Sequence, residues 1–330
     1  MAILVTGGAG YIGSHTVVEL LNRGEEVVVV DSLRTGHRQA VKSGAYYEGD
    51  IADRSFLNSI FSKHEIEAVI HFSASSLVGE SVNQPLPYYE NNLIASHTLV
   101  SVMLDHQVKK IVFSSTAATY GEPKQIPILE TDPTNPTSPY GETKLAMEKM
   151  FRWCDQAYGL KSVSLRYFNA AGAHPEGLIG EDHNPESHLI PIILQVALGQ
   201  RESIGIFGDD YPTEDGTCIR DYIHVSDLAN AHFLALEHLR KNNTSDVFNL
   251  GNGTGFSVKE VIETVRNVTA HPIPEKISQR RAGDPAVLIA SSEKARNILG
   301  WKPQFDDLKT IIETAWKWHK TNPKGYVGKE

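Results

Sequence analysis

The first half of the chain alternates short runs of apolar residues with longer amphipathic segments. The apolar runs have the length of short buried strands and lie at 3–5, 27–30, 68–71, 111–113 and 163–166. Segments with apolar residues at helical spacing fall between them, at 14–21, 55–63, 91–106 and 141–158. Strands that are buried on both faces and alternate with helices are typical of parallel sheets. The pattern therefore predicts an α/β fold, a doubly wound parallel sheet with right-handed crossovers.

This alternation fades after residue 170. Gly, Pro, His and charged residues cluster over 172–191, and no regular order of strands and helices follows. We expect a first domain at 1–170 and a smaller C-terminal domain at 171–330. The two are predicted to interleave, because 219–240 resembles a strand and a helix that return to the main sheet. Ligands of such folds bind at the carboxyl ends of the strands and in clefts between domains.

The turn after the first predicted strand is rich in glycine. Gly7, Gly10 and Gly13 have the spacing that permits a tight turn, close approach of a pyrophosphate and close packing of the next helix. That helix directs free N–H groups and the positive end of its dipole toward the anion. The second predicted strand ends at Asp31, where a carboxylate can bind the adenosine ribose and repel a 2′-phosphate. This Rossmann-like signature predicts NAD rather than NADP, although nearby Arg34 slightly weakens that preference.

A tyrosine and a lysine in the fourth predicted helix are the candidate catalytic pair. Tyr140 and Lys144 are four residues apart and therefore lie on one helix face. We expect the ammonium to lower the pKa of the phenol from about 10 toward neutrality, which would make it a proton shuttle for an alcohol. Thr116 follows the fourth predicted strand; its hydroxyl can cap the strand end or act with Tyr140. Such a pair is common on surfaces, and only the dinucleotide signature makes catalysis the favoured interpretation.

Composition excludes several classes of function. The chain has 330 residues and a net charge of −9, so nucleic acid is not an expected partner. No apolar run approaches the ~18 residues of a membrane span, and no signal peptide is expected. Cys154 and Cys218 form no disulfide framework, which favours a cytoplasmic location. His174, His183 and His188 match no compact ligand spacing, so no metal site is expected.

These features together resemble the extended short-chain dehydrogenases/reductases. Local strings resemble a narrower family, the UDP-glucose 4-epimerases, and the likeness extends from residue 1 to about 318. The strings lie at 1–16, 114–121, 138–144, 166–169, 207–217, 220–225 and 280–284. The resemblance implies an isomerase of galactose metabolism that binds NAD tightly and regenerates it within each turnover. Its expected substrates are UDP-glucose and UDP-galactose, interconverted through a 4-ketopyranose that rotates in the site.

The resemblance also implies roles for individual residues. Tyr140 would take the proton of the sugar 4-hydroxyl, Lys144 would hold the nicotinamide ribose, and Thr116 would bind the sugar oxygen. The implied cofactor-binding residues are Gly7, Gly10, Tyr11, Ile12, Gly13, Asp31, Asp50, Ile51, Phe72, Ser73, Asn91, Ser114, Tyr140, Lys144 and Phe168. The implied substrate-binding residues are Thr116, Tyr140, Asn169, His188, Arg220, Arg281, Asp284 and Leu288. The first domain would thus bind NAD, and the second mainly the UDP-sugar.

Three positions depart from the family pattern. Ser76 stands where a phosphate-binding lysine is common, and His188 where an asparagine is common. Leu288 occupies the position where a large tyrosine restricts the pocket to plain hexoses and a small residue admits N-acetyl sugars. Leucine is intermediate in size, so acceptance of N-acetylated substrates stays open.

Other functions remain as alternatives. A sugar-nucleotide dehydratase would require Asp-Glu directly after Thr116, but Ala117 and Ala118 follow and neither can transfer a proton. A non-catalytic NAD-binding protein is disfavoured because both members of the Tyr-Lys pair are present. A 4-epimerase of a UDP-N-acetylhexosamine, UDP-pentose or UDP-uronate is a closer alternative, since the chemistry at C4 is the same. The family commonly forms homodimers, and the apolar residues Leu93, Leu99, Val100 and Met103 are predicted to lie in the core or at an interface.

Overall fold

The strands and helices of the chain were located in a computed structural model, which describes residues 1–42, 44–281 and 284–326. The string at 280–284 and the end of the second predicted domain fall partly outside these residues. The strands are β1 (Ala2–Thr6), β2 (Val27–Asp31), β3 (Ala45–Glu48), β4 (Ile66–His71), β5 (Lys110–Ser114), β6 (Lys161–Arg166), β7 (Asn169–Ala171), β8 (Ile204–Phe207), β9 (Ile219–Arg220), β10 (Tyr222–His224), β11 (Asp246–Asn249), β12 (Phe256–Ser257), β13 (Glu275–Ser278) and β14 (Val287–Leu288). The helices are α1 (Tyr11–Asn22), α2 (Arg54–Lys63), α3 (Val78–Asn83), α4 (Pro85–Tyr88), α5 (Ala95–Asp105), α6 (Pro139–Tyr158), α7 (Leu189–Ala197), α8 (Val225–Asn242), α9 (Val258–Thr269) and α10 (Leu308–Thr321). A π-helical turn, Tyr89–Ile94, joins α4 to α5.

Seven strands form one parallel sheet in the order β11-β6-β5-β4-β1-β2-β3. The five predicted strands supply its centre, which confirms the predicted doubly wound fold. Successive residues of β1 enter different cores: Ile3 and Val5 pack on the side of α1 and α8, and Leu4 on the side of α2, α5 and α6. Burial of each such side chain contributes about 1.5–3 kcal/mol, so the apolar runs are stable only between two helical layers.

Helix α6 carries the candidate catalytic pair and has clear signals at both ends. Ser138 caps its start by accepting a hydrogen bond from the Gly141 N–H at 3.2 Å, and Pro139 occupies the first turn. Gly159 ends the helix in the left-handed conformation, with φ of 72°. Because Phe151 and Met147 are buried against the sheet, the helix presents a fixed face to the end of β5.

The second half of the chain packs around small sheets and the helices α7, α9 and α10. These sheets pair β10 with β7, β13 with β8, and β12 and β14 with β9. In the predicted returning segment 219–240, the strands β9 and β10 stay in these small sheets, while helix α8 packs against α1, β5 and β6. The strand that joins the edge of the main sheet is β11, which follows α8. Within the described residues, no helix combines the length and apolar character needed to cross a membrane.

Candidate active site

The glycine-rich turn lies at the carboxyl end of β1 and leaves no room for side chains. Gly7 has φ of +74°, and a Cβ atom there would lie 2.7 Å from the Ser73 backbone nitrogen. A Cβ atom on Gly13 would lie 2.1 Å from the Gly7 carbonyl oxygen. Helix α1 begins after Gly10 without a side-chain cap, so its first-turn N–H groups are suited to bind an anion. This close-packed cradle fits the pyrophosphate of a dinucleotide.

Asp31 braces this turn from the end of β2. Its carboxylate accepts hydrogen bonds from the Ala9 N–H at 2.9 Å and the Leu33 N–H at 2.8 Å. Burial raises the pKa of Asp31, although these backbone donors oppose that effect. The sequence predicts a carboxylate at the end of this strand. In the structure, Asp31 also holds the glycine turn in position through the Ala9 N–H.

Arg34 brings two of the predicted cofactor-binding residues together. Its guanidinium donates to the Asp50 carboxylate at 2.6 Å and to the Asn91 side-chain oxygen at 2.9 Å. Ile51, the neighbour of Asp50, is buried in the core. Asn91 lies 57 residues after Arg34, so their contact follows from the fold and from no local spacing in the sequence.

Other predicted cofactor residues have structural partners of their own. The Tyr11 hydroxyl donates to the Gly172 carbonyl at 2.6 Å and so joins α1 to the second half of the chain. Ile12 and Phe72 pack against the core on the α1 side of the sheet, and the Phe72 ring lies 4.6 Å from that of His232. The roles of these side chains toward a dinucleotide stay predictions.

The candidate catalytic residues converge beside the end of β5. The buried Lys144 ammonium donates to the Ser114 carbonyl at 2.8 Å, and its nitrogen lies 5.9 Å from the centre of the Tyr140 ring. The Thr116 hydroxyl accepts a hydrogen bond from the Ala118 N–H at 3.1 Å, and its proximity lowers the pKa of the Tyr140 phenol. Thr116 therefore caps a short turn and also lies close enough to act on the phenol.

The structure corrects the expected acidity of this pair. Burial raises the pKa of Tyr140, and the nearby Thr116 hydroxyl offsets this only in part. Burial also lowers the pKa of Lys144 to about 7, although nearby Glu148 acts in the opposite direction. The expectation of a phenol acidified by a neighbouring ammonium was wrong, because the pKa of Tyr140 is raised. Its physical reason is that loss of water penalises the charged form of both groups.

Three further predicted residues, Ser114, Phe168 and Leu288, lie beside this pair. The Ser114 hydroxyl shares a hydrogen bond of 2.6 Å with the Tyr167 hydroxyl. Phe168 packs against a small cluster around Tyr120 and Ile128, and Leu288 contacts the same cluster. Leu288 is thereby held near the nicotinamide-side candidates rather than on a separate surface.

The predicted diphosphate-binding residues come from β7, β9 and the segment before β14. Arg220 forms a hydrogen-bonded ion pair with Asp284 and donates to the Ile219 carbonyl at 2.7 Å. The Arg281 guanidinium lies over the Phe207 ring at 4.0 Å. The Asn169 side chain donates to the Asp221 carbonyl at 3.1 Å. These contacts give the second half of the chain two arginines beside aromatic and carboxylate groups.

His188 lies at the start of α7 and pairs with a buried carboxylate. Its Nδ1 atom hydrogen-bonds Glu181, and His183 lies 3.2 Å from the same carboxylate. Burial alone would lower the pKa of His188, but Glu181 more than offsets this and the pKa is raised. The sequence identified His188 but not Glu181, although the recurrence of Glu and His over 181–188 was a visible signal.

Three other residues that support the site were not identified from the sequence. Ser81 accepts a hydrogen bond from the Tyr140 N–H at 3.2 Å. Glu148, one turn after Lys144, binds the Arg166 guanidinium through both carboxylate oxygens. Asp221, the neighbour of Arg220 in the sequence, is fully buried and accepts from the Asn252 N–H at 2.9 Å. Burial raises the pKa of Asp221 to about 7.

Comparisons with known proteins identify the family of the chain. The family model for the NAD dependent epimerase/dehydratase family matches residues 3–251. The UDP-glucose 4-epimerase of Halalkalibacterium halodurans is 70% identical over 326 residues, which cover 99% of this chain and 98% of the relative.

Solved structures give the same result. A crystal structure of a UDP-glucose 4-epimerase is 58% identical with a TM-score of 0.97, and the match covers 99% of each chain. The UDP-glucose 4-epimerase of Bifidobacterium longum, solved in complex with NAD+ and UDP, is 42% identical with a TM-score of 0.94. That match covers 98% of this chain and 100% of the other. The resemblance drawn from the sequence is confirmed: this chain belongs to the UDP-glucose 4-epimerases of the NAD dependent epimerase/dehydratase family.

Proposed function

We propose that the protein catalyses the reversible NAD-dependent 4-epimerisation of UDP-glucose and UDP-galactose. The observation that carries this proposal is the cluster of Tyr140, Thr116 and Lys144 at the end of β5, in the same chain as the dinucleotide cradle. A phenol that can exchange a proton and a cofactor that can exchange a hydride are the two parts needed to invert an alcohol carbon.

The residues around the glycine turn fit NAD. Gly7, Gly10 and Gly13 would admit the pyrophosphate, and Asp31 would accept the ribose hydroxyls once they displace part of its present bonding. Asp50 and Asn91, now joined by Arg34, would bound the adenine side. On this proposal residues 1–170 form the NAD-binding domain and 171–330 mainly bind the UDP-sugar.

The chain's own residues would perform the proton transfers. Tyr140 would take the proton of the 4-hydroxyl and later return it, while Thr116 holds the sugar oxygen in reach of the phenol. Lys144, fixed by the Ser114 carbonyl, would bind the nicotinamide ribose and keep Tyr140 oriented. When bound, NAD supplies the hydride acceptor and a positive ring that lowers the pKa of Tyr140. Burial raises the pKa of Tyr140, so the positive ring of bound NAD would favour removal of its proton.

On the substrate side, arginine suits a diphosphate because its planar fork binds two oxygens at once. Arg220 and Arg281 are the candidates, with Asn169, Asp284 and His188 as further polar contacts. Leu288 would border the sugar and set its permitted size. A product analysis with UDP-galactose, UDP-N-acetylgalactosamine and UDP-xylose tests the alternative substrates, since exclusive turnover of either of the last two would replace the proposed one.

The substitution Tyr140→Phe tests the proposed acid–base role. It removes the phenolic oxygen that exchanges the proton, so epimerisation of UDP-galactose should fall to background while bound NAD is retained. Tyr158→Phe is the matched control, because Tyr158 is exposed at the other end of the same helix. Turnover by Tyr140→Phe at the wild-type rate would exclude the proposed role. If the reaction consumed one NAD for each product molecule, the protein would be a dehydrogenase instead.

We also propose a cytoplasmic homodimer. Leu99, Val100 and Met103 are buried in the chain's own core, so they do not supply an interface. Leu86 and Ile94, near the start of the same helical segment, are exposed and give an apolar surface for a second copy. Light scattering after gel filtration measures the mass, and a monomer at micromolar concentration would contradict the dimer.

A further inference from the structure

Four metal-ligating side chains converge in the loop between β7 and α7. They are Glu181, His183, Glu186 and His188, and one ligand atom from each lies within 4.8 Å of all the others. The four residues fall within a stretch of eight, so the loop brings them together without help from distant segments. The histidine spacing alone did not predict this cluster, because half of its members are glutamates.

The distances within the cluster approach those of a tetrahedral metal site. The His183 Nδ1 atom lies 3.2 Å from the Glu181 carboxylate and 3.8 Å from that of Glu186. The His188 Nδ1 atom lies 3.7 Å from Glu186 and is in direct contact with Glu181. Ligands about 2.0–2.1 Å from a tetrahedral Zn2+ ion are separated by roughly 3.3 Å. For an ion to bind, the contact between His188 and Glu181 must open, and the longer separations, which reach at most 4.8 Å, must shorten.

Neighbouring groups already hold the ligands in place. The Glu186 carboxylate accepts hydrogen bonds from the Ser187 N–H at 2.8 Å and the His188 N–H at 2.9 Å. The Glu181 carbonyl accepts from the Trp318 indole at 3.3 Å, and the Glu181 side chain is almost fully buried. The His183 ring meets the Tyr11 ring edge to face at 6.2 Å. Support of this kind around the ligands is typical of metal centres.

The two histidines face the same pair of carboxylates. Their ring centres lie 5.2 Å apart. Since each imidazole turns its Nδ1 atom toward the carboxylates, the lone pairs needed for coordination would point to one place.

We propose that Glu181, His183, Glu186 and His188 bind one Zn2+ ion. Two imidazoles exclude the hard cations Mg2+ and Ca2+, which prefer oxygen ligands. Four protein ligands close the coordination sphere, so the ion would be structural. It would fix the loop between Tyr11 at the dinucleotide turn and the first turn of α7. The Nε2 atom of His188 would remain free to bind the UDP-sugar, a role that rests on the proposed function.

The test is Zn2+ binding to the untagged full-length protein. Protein stripped with a chelator is titrated with Zn2+ against a chromophoric competitor, and the metal retained after gel filtration is measured. We expect one Zn2+ per chain. His183→Ala and Glu186→Gln should weaken binding by at least about 100-fold, since even the loss of outer partners costs 10–100-fold. His174→Ala is the matched control: His174 lies in the same loop region outside the cluster and should leave binding unchanged.

The change in melting temperature on adding Zn2+ distinguishes loss of metal binding from a general loss of stability in a variant. Zn2+ should raise the melting temperature of the wild type and of His174→Ala, but not that of Glu186→Gln, which preserves the side-chain size. Co2+ in place of Zn2+ should give the visible absorption of a tetrahedral site in the wild type, but not in His183→Ala or Glu186→Gln. Less than stoichiometric Zn2+ in the wild type, or equal affinity in Glu186→Gln, would overturn the proposal. These measurements do not use epimerase activity, so their failure is distinct from failure of the proposed function.

Discussion

Replacing Lys144 with methionine should stabilise the protein, and the gain should depend on pH. Lys144 is a buried amine that donates to the Ser114 carbonyl. Burial lowers its pKa from an ordinary value of 10.5 to about 7. Between these values the unfolded chain binds more protons than the folded chain, so this group makes stability rise with pH. Methionine has similar length and no charge, and therefore removes the cost of burying an ammonium.

The size of the effect follows from the two pKa values. They differ by about 3.5, and each unit corresponds to about 1.4 kcal/mol, so the cost fully expressed at acid pH is about 5 kcal/mol. From pH 7 to pH 9 the folded chain loses most of this proton while the unfolded chain keeps it. The advantage of Lys144→Met should therefore shrink by about 2 kcal/mol across that interval. Loss of the hydrogen bond to Ser114 costs about 1 kcal/mol at both pH values and cancels in the comparison.

The assay is urea unfolding of wild type and variant, both freed of nucleotide, at pH 7 and pH 9. Lys149→Met is the control, because Lys149 lies on the same helix but is exposed to water. Its effect should be the same at both pH values. An unchanged free-energy difference between Lys144→Met and the wild type at pH 7 and 9 would refute the reasoning, as it would show an amine that stays protonated in the fold. The variant should also lose epimerase activity, since it lacks the proposed ribose contact.

Two further substitutions test the cradle and its support. Gly13→Ala places a Cβ atom 2.1 Å from the Gly7 carbonyl oxygen, so bound NAD should fall to background and the free energy of unfolding should drop by about 1–3 kcal/mol. Gly44→Ala is the control, because a Cβ atom there meets open space, and it should change neither quantity. Retention of NAD by Gly13→Ala would contradict the predicted pyrophosphate site. Glu148→Gln removes the negative charge to which the buried Arg166 donates through Nε and Nη2, so the free energy of unfolding should drop by about 3–5 kcal/mol. A drop below about 1 kcal/mol, the range of exposed pairs, would show that water reaches this ion pair.

The main sheet was predictable because its central strands are apolar on both faces. The edge strand β3, Ala45–Glu48, was missed because its side chains are half-buried or exposed and it carries no continuous apolar run. The other edge strand, β11, begins with Asp246 and ends with Asn249, and its short polar-flanked pattern resembles a turn. An edge strand has a neighbouring strand on one side only and is covered less completely than a central strand. Its sequence is therefore less apolar and harder to recognise as a strand.

The sequence predicts those parts of the candidate site whose residues are close together along the chain. The glycine turn, Tyr140 and Lys144 are local patterns, and the fold brings them to one edge of the sheet. The link from Arg34 to Asn91 depends on the order of strands, which no local spacing reveals. The acidity of Tyr140 was misjudged for a related reason: spacing shows that an ammonium is near, but only burial shows that water is absent.

Arg220 is engaged by groups of the chain itself. Its guanidinium is neutralised by Asp284 and tied to the Ile219 carbonyl, in a chain whose net charge is −9. Such a molecule repels an anion at long range, so added salt would screen this repulsion and speed the encounter. Discrimination would then arise at contact, where a diphosphate must match the unoccupied edge of a guanidinium held rigid by its neighbours. An acidic enzyme can thus recognise an acidic substrate by shape without first drawing it in by charge.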